Sequence, residues 1–209
     1  MIAELRGKIE NNKEDELTGN FFGTLRYTGF EKILQPLFVR CIRPAELANN
    51  VKKIRGGYWG DKIHFWPYDL LGEIDVLLDF EEILIGIEVK YQSGLSSDDQ
   101  LEREAKILQN KANGREKILI FLAPKSTCLE IVTNRRRKNI FNEFGVNLGY
   151  ISWENVFDEL NKLQLTDFDA LIAKDLIDLL KLKGFESFRS FDSLNFLPKV
   201  EEDKIYVFD

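Results

Sequence analysis

Two apolar runs in the middle of the chain, residues 73–80 and 83–90, are separated by only two residues, Glu81 and Glu82. Each run has the length and the content of branched apolar residues that are typical of a β-strand. Parallel strands need a crossover of about a dozen residues or more, whereas antiparallel strands can be joined by a two-residue turn. The spacing therefore predicts that the two runs are adjacent antiparallel strands.

The second run ends in two charged residues, Glu88 and Lys90. Residues two apart on a strand point to the same side, so a carboxylate and an ammonium leave a buried element side by side. Their burial is costly unless the charges are paired or used. Asp75, thirteen residues before Glu88, lies on the preceding strand. The predicted hairpin can therefore bring the two carboxylates together.

The pattern Glu-x-Lys is by itself a weak signal, because it occurs three times in this chain. The copy at 104–106 lies within a predicted helix, where residues two apart point in different directions. The copy at 202–204 lies in a charged segment near the end of the sequence. Only Glu88 and Lys90 stand at the end of a predicted interior strand, which distinguishes them from the other copies.

The order of the predicted elements is that of a mixed α/β domain, with a meander of three strands that leads into a crossover helix. The clearest helix is 96–111, which has serines at its start, acidic residues in its first turn and an apolar face. The predicted helices span 8–17 (followed by a bend at Gly19 and Gly23), 96–111, 153–163 and 168–183, and the predicted strands span 61–68, 73–80, 83–90, 116–123 and 145–152.

The composition is that of a globular protein: the 209 residues are 44% hydrophobic and 31% charged, and no repeat or linker divides them. We expect a single domain over 1–209 whose C-terminal part is helical from about 153. No run approaches the roughly 20 apolar residues of a membrane span, and no signal peptide is apparent, which predicts a cytoplasmic protein without membrane contact. Cys41 and Cys128 form no CxxC pair, so we expect buried reduced thiols.

Several kinds of catalytic site are excluded by the residues present. Nucleophilic schemes that use histidine have only His64 available, in an apolar strand, and the chain has no GxSxG motif. The glycines of 55–60 match neither a phosphate loop nor a dinucleotide fingerprint. Carboxylates are left as metal ligands, and hard oxygen ligands select Mg²⁺ or Mn²⁺.

Asp75, Glu88 and Lys90 resemble the motif of the PD-(D/E)XK nuclease superfamily, which has the restriction-endonuclease-like fold. That motif is an Asp, a spacer of varying length and Glu-x-Lys at the end of the next strand, within an α-β-β-β-α-β core. Ile74 stands where the motif often has Pro. The resemblance covers about residues 14–123 and implies a mixed β-sheet flanked by helices.

The same resemblance implies further site residues. Many members carry an acidic residue on the first helix, which we assign to Glu16, with Glu14 and Asp15 as its neighbours. Many also have a glutamine near the start of the helix that follows Glu-x-Lys, which corresponds to Gln100. The implied ligands of one or two Mg²⁺ or Mn²⁺ ions are Asp75, Glu88, the backbone carbonyl of Val89 and Glu16.

The activity implied is that of a metal-dependent nuclease, in which Lys90 orients the attacking water or helps to deprotonate it, and cleavage leaves a 5′-phosphate. DNA is favoured over RNA as the partner. A role in defence, restriction or repair, and the formation of a homodimer, stay open.

Structural roles compete with each of these assignments. Asp75 could cap a turn, and Glu88 with Lys90 could form an ion pair at the rim of the sheet. Gln100 lies three residues after Ser97, so the two could form a capping box in which the amide serves only the backbone. The alternative function is a catalytically inactive nuclease-like binding module. A metal-dependent phosphatase or nucleotide hydrolase is the second enzymatic hypothesis.

A net charge of −6 argues against a general nucleic-acid coat but leaves room for a local basic surface. The densest positive cluster is "RRRK" at 135–138. Such a run is usually a solvated face. With Lys52, Lys53 and Arg55 it could contact phosphates.

Overall fold

The computed structural model of the chain describes residues 13–132 and 141–186. The strands are β1 (Ile63–Phe65), β2 (Tyr68–Asp69), β3 (Gly72–Glu73), β4 (Val76–Asp79), β5 (Ile83–Val89), β6 (Glu116–Ala123) and β7 (Asn147–Ser152). The helices are α1 (Lys13–Leu25), α2 (Leu34–Cys41), α3 (Ala48–Lys53), α4 (Gln100–Lys111), α5 (Lys125–Val132), α6 (Trp153–Leu160) and α7 (Asp167–Leu182), and a 3₁₀ turn spans Ala45–Leu47.

The centre of the fold is a five-stranded mixed sheet with the strand order β1-β4-β5-β6-β7, and β2 and β3 form a separate hairpin. β4 and β5 are antiparallel neighbours, with Val76 opposite Ile87 and Asp79 opposite Leu84. This confirms the prediction made from the two-residue gap. β6 lies parallel to β5, because α4 carries the chain back to the other end of the sheet. The predicted mixed α/β class is therefore confirmed.

Helices cover both faces of this sheet. α4 packs on one face through Leu101, Ala105 and Leu108, which share a buried cluster with Leu84 and Leu119. Helices α1, α2, α6 and α7 contribute to the core on the other face. Every residue of β5 is buried, as expected for a strand that is covered on both sides.

Gly86 allows α4 to approach β5 closely. A Cβ at this position would lie only 3.1 Å from Leu108 Cδ1 and 3.2 Å from Leu119 Cδ1, so a larger residue would require these leucine side chains to shift. Glu104 and Gln100 lie on the same face of α4 as Leu108, one and two turns nearer its start, respectively. The close packing at Gly86 thus brings these two polar side chains to the end of β5.

The first helix is longer than predicted. α1 continues to Leu25 through Gly19 and Gly23, where we expected a bend after residue 17. Its residues Phe21 and Leu25 are buried in the core, and tertiary packing of this kind commonly overrides the low helix propensity of glycine. The predicted residues 8–12 lie outside the described part of the chain.

Two predicted strands are shorter in the structure. β1 ends at Phe65, because Trp66 has a positive φ of 48° and turns the chain. The run at 73–80 starts in the small β2–β3 hairpin, and the strand that pairs with β5 begins only at Val76. α4 begins at Gln100 instead of residue 96. β6 has the predicted bounds, and α6 and α7 end within three residues of theirs.

Cys41 and Cys128 are free and buried, as predicted. The basic cluster at 135–138 lies outside the described residues. In the described part of the chain, no helix has both the length and the apolar character needed to cross a membrane.

Candidate metal centre

Three carboxylates from three elements converge at one end of the sheet. Glu14 lies in the first turn of α1, Asp75 directly precedes β4, and Glu88 is the penultimate residue of β5. Each contributes a carboxylate oxygen to a group in which all the oxygens lie within 4.8 Å of one another. Asp75 meets Glu88 because the β4–β5 register, with Val76 opposite Ile87, places the two residues opposite each other one step further along. The predicted convergence of these two carboxylates is thus present in the structure.

Asp75 is fixed by the backbone of the neighbouring strand. Its Oδ2 accepts a hydrogen bond of 2.8 Å from the N–H of Val89. The backbone N–H of Val89 therefore points toward the carboxylate group. The Val89 carbonyl was predicted to be a metal ligand in this group, and that role stays a prediction. This contact crosses to the neighbouring strand, so it is not the turn cap that we considered as the structural role of Asp75.

Lys90 is buried between two of the carboxylates, with 5% of its surface exposed. Its Nζ lies 2.7 Å from Glu88 Oε1 and 2.9 Å from Glu14 Oε1. Burial by itself lowers the pKa of this ammonium, but the charges of Glu88 and Glu14 outweigh it and raise the pKa above its ordinary value. Its backbone carbonyl accepts a hydrogen bond of 2.9 Å from the indole of Trp153, so both ends of the residue are held.

The acidic residue supplied by the first helix is Glu14 and not Glu16. Residues two apart on a helix point about 200° from each other, so the two side chains cannot share a site. Glu14 Oε2 accepts hydrogen bonds from Tyr91 N–H (3.1 Å) and Ser93 Oγ (2.6 Å). Glu16 is exposed and pairs instead with Lys183 Nζ at 3.1 Å. The structure therefore places Glu14, and not the predicted ligand Glu16, among the converging carboxylates.

Gln100 lies between the loop before α4 and the carboxylate cluster. Its Oε1 accepts hydrogen bonds of 2.9 Å from the N–H and the Oγ of Ser96, whereas the N-cap of α4 is Asp99, without a side-chain cap bond. Its Nε2 donates to Glu88 Oε1. The predicted partner Ser97 does not receive the side chain, and the amide links the loop before α4 to the carboxylate cluster.

Glu104 is a fourth carboxyl group at this end of the sheet, and we had set it aside as part of a mid-helix Glu-x-Lys. Only 2% of its surface is exposed, and it lies beside Glu88 and Gln100. Among the described residues, neither of its carboxylate oxygens has a hydrogen-bond donor in good geometry. A signal was present in the sequence, because Glu104 follows Gln100 by four residues and so lies on the same face of α4.

The four carboxyl groups differ in what stabilises their charge. Burial and the neighbouring charge of Glu88 raise the pKa of Asp75 well above its usual value. Burial and the charge of Glu104 do the same for Glu88, although Lys90 acts against them. Burial raises the pKa of Glu104 to about 8. Among the described residues, the ammonium of Lys90 is the cation that contacts this group, and Glu14, Asp75 and Glu88 are arranged so that they could hold a metal ion.

The other charged candidates lie at the opposite end of the sheet. Asn50 of α3 donates to Glu116, the first residue of β6, which places Lys52 and Lys53 at that end. Arg55 and His64 line a cavity of about 520 Å³ there. Among the described residues, neither the histidine nor these basic side chains belong to the carboxylate cluster.

The residues present suit a divalent cation with a preference for oxygen ligands. Glu14, Asp75 and Glu88 offer only carboxylate oxygens, the ligands that Mg²⁺ and Mn²⁺ favour, with no sulfur or imidazole nearby in this group. No family model and no curated protein sequence matches this chain significantly. The chemical argument for the site therefore rests on its own geometry.

Proposed function

We propose that this protein is a metal-dependent nuclease that hydrolyses phosphodiester bonds of nucleic acid, with DNA favoured over RNA. The observation that carries the proposal is the convergence of Glu14, Asp75 and Glu88 around a buried lysine, Lys90, at the end of an interior strand. Convergent carboxylates with an adjacent ammonium suit a divalent metal and an anionic substrate. Buried charges of this kind commonly mark functional sites.

The order of elements supports the finer fold assignment. A first helix, three antiparallel strands, a crossover helix and a parallel strand occur in the order α1, β1, β4, β5, α4 and β6, with α2 and α3 inserted before β1 and the β2–β3 hairpin inserted before β4. This order agrees with the α-β-β-β-α-β core implied by the resemblance. We therefore propose the restriction-endonuclease-like fold, with PD-(D/E)XK chemistry at Asp75, Glu88 and Lys90.

Each side chain has a distinct role in this proposal. Glu14, Asp75 and Glu88 would hold Mg²⁺ or Mn²⁺, with the Val89 carbonyl as a further ligand. The cation, when bound, supplies a positive charge that stabilises the negative charge developing on the phosphate. Lys90 would act as an ammonium that orients the attacking water, because its contacts with Glu14 and Glu88 raise its pKa and keep it protonated, which argues against the deprotonating role.

Gln100 and Ser93 are positioning residues in the same scheme. The amide of Gln100 donates to Glu88 and fixes its orientation, and the hydroxyl of Ser93 donates to Glu14. Partners of metal ligands commonly set ligand orientation in this way.

The test is a cleavage assay with end-labelled single-stranded and double-stranded DNA and RNA. We expect cleavage in Mg²⁺ or Mn²⁺, 5′-phosphate ends on the products, no cleavage in EDTA, and recovery on addition of excess Mg²⁺. Cleavage that persists in EDTA would contradict the proposal, and so would the absence of cleavage with all four substrates in both metals.

One observation favours a second candidate, a nuclease-like module that binds without cleaving. Lys90 contacts both Glu14 and Glu88, so part of the acidic charge is compensated within the protein. This hypothesis predicts that nucleic acid or another partner binds without metal-dependent cleavage. The same assay, combined with a binding measurement on the same substrates, separates the two candidates.

A further inference from the structure

Glu88 and Glu104 form a pair of buried carboxyl groups at the junction of β5 and α4. Each has only 2% of its surface exposed, and their side chains are in contact. The known donors to Glu88, which are Lys90 and Gln100, both reach its Oε1. In the part of the chain that the structure describes, no group donates a hydrogen bond in good geometry to either oxygen of Glu104. A buried polar group in this condition calls for a proton, a water or an ion as its partner.

A cleft opens beside Glu104, between α4 and the β2–β3 hairpin. Its volume is about 120 Å³, and it is lined by Glu104, Gln100, Ser96, Arg103 and the edge of the β2–β3 hairpin at 71–73. A water molecule takes about 30 Å³ of liquid volume, so the cleft has room for a cation with a few of its waters. Mg²⁺ usually keeps several waters in protein sites.

Arg103 also lines the cleft, and the contacts that the structure gives it are with groups other than Glu104. Arg103 Nε lies 3.3 Å from Asp99, its Nη2 donates to Ser97 Oγ at 3.0 Å, and its Nη1 donates to the carbonyl of Leu71 at 3.2 Å. These contacts direct the guanidinium toward the loop before α4 and the hairpin. None of these contacts of Arg103 compensates the charge of Glu104.

The charges of the whole cluster point to two divalent cations. With all groups ionised, four carboxylates (Glu14, Asp75, Glu88 and Glu104) face one ammonium (Lys90), which leaves three negative charges. One divalent cation would leave one negative charge, and the cluster would still repel a phosphodiester. A second cation would make the cluster positive by one charge, which attracts that substrate.

We propose that Glu104 and Glu88 form a second divalent-cation subsite beside the centre of Glu14, Asp75 and Glu88, with Glu88 shared by the two. Glu104 is thereby a metal ligand, and the cleft beside it holds the waters that complete the coordination. The subsite builds on the metal centre of the proposed function but makes a separate statement about the number of ions bound.

The experiment counts Mn²⁺ ions bound to the full chain, by electron paramagnetic resonance of free Mn²⁺ during titration. We expect two ions for the wild type, one for Glu104→Gln and two for Glu102→Gln. The last variant makes the same chemical change on the same helix, at a residue outside the cleft lining. Thermal melts establish that each variant is folded.

A single Mn²⁺ ion in the wild type, removed by Asp75→Asn, would overturn the second subsite and leave the first centre intact. Two ions in Glu104→Gln would also overturn it. No specific Mn²⁺ binding in the wild type would refute the proposed metal centre itself, so the two failures are distinguishable.

Anomalous scattering from wild-type crystals soaked in Mn²⁺ gives an independent answer if Glu104→Gln does not fold. We expect two peaks, one of them about 2 to 2.5 Å from a Glu104 oxygen. A single peak away from Glu104 would show that its carboxyl is a proton-sharing partner of Glu88, which contradicts the proposal.

Discussion

Strands β4 and β5 carry acidic residues at both of their ends, but only one end has the properties of a reaction centre. At the far end, Asp79 is paired with Arg115, which also donates to the carbonyl of Phe80 at 2.7 Å, and Glu81 and Glu82 are exposed to solvent. At the near end, Glu88 and Glu104 are buried, and the partly buried Glu14 and Asp75 converge on Glu88 beside Lys90. The number of acidic residues therefore does not by itself distinguish a functional site. Buried acids that outnumber the basic side chains in contact with them, as at the near end, are the better indication.

The largest effect on the cleavage rate should come from comparing two variants, each of which has one glutamate replaced by glutamine, at opposite ends of the strands. Glu88→Gln removes a metal ligand, so we expect metal-dependent cleavage to be abolished. Glu82→Gln makes the same change at the exposed end and should leave the cleavage rate unchanged. Initial rates in Mg²⁺ measure both. Equal cleavage rates for the two variants would contradict the assignment of the reaction centre to the near end.

The next largest effect should come from Lys90→Ala. We expect kcat to fall by a factor of about 10² to 10⁴, as is common when a well-placed electrostatic or general-base group is lost. The metal ligands remain in this variant, so Mn²⁺ should still bind, which calorimetry checks, and the fold should persist, which an unchanged thermal melt checks. If Lys90→Ala cleaved at the wild-type rate, the lysine would have a structural role only.

A smaller effect is expected from Ser93→Ala, which removes the 2.6 Å hydrogen bond to Glu14 Oε2. Loss of such a partner typically lowers metal affinity or activity by about 10- to 100-fold. Calorimetric Mn²⁺ titration should show the weaker binding. Ser97→Ala is the control, because Ser97 bonds to Asp99 and Arg103 outside the cluster. Equal weakening in both variants would argue against a specific role for the Glu14 contact.

The smallest effect is expected at the far end, from Asp79→Asn. The carboxylate and the guanidinium of Arg115 are 41% and 23% exposed, and exposed ion pairs contribute about 0.2 to 1 kcal/mol. Chemical denaturation should show a loss of this size, reduced at high salt by screening, and cleavage should be unaffected. A loss of cleavage would place a functional residue at the end that we regard as structural.

The sequence predicted the hairpin and its two acids well, because a two-residue gap allows only one pairing of the strands. It did not determine which acid of the first helix faces the site. Glu14 and Glu16 differ by about 200° around the helix, and the rotation of α1 is set by the burial of Phe21 and Leu25 against distant residues. A short sequence window does not contain that information.

Glu104 was missed for a similar reason. Within the sequence, a glutamate in the middle of a charged helix has the pattern of a solvated face. Its burial depends on how closely α4 approaches β5, and that distance is set by Gly86 against Leu108 and Leu119. The contact joins residues far apart in the chain, so local periodicity could place Glu104 on a helix face but not in a site.

The most direct test of the central claim compares wild type and Asp75→Asn in one cleavage assay, first in EDTA and then with excess Mg²⁺. Asp75 holds the cluster together, since its carboxylate accepts from Val89 N–H at 2.8 Å and lies among the converging oxygens. We predict that the wild type is inactive in EDTA and cleaves DNA once Mg²⁺ is added, while Asp75→Asn is inactive in both. Cleavage by Asp75→Asn at the wild-type rate, or a wild type that stays inactive in Mg²⁺ and in Mn²⁺, would contradict the account.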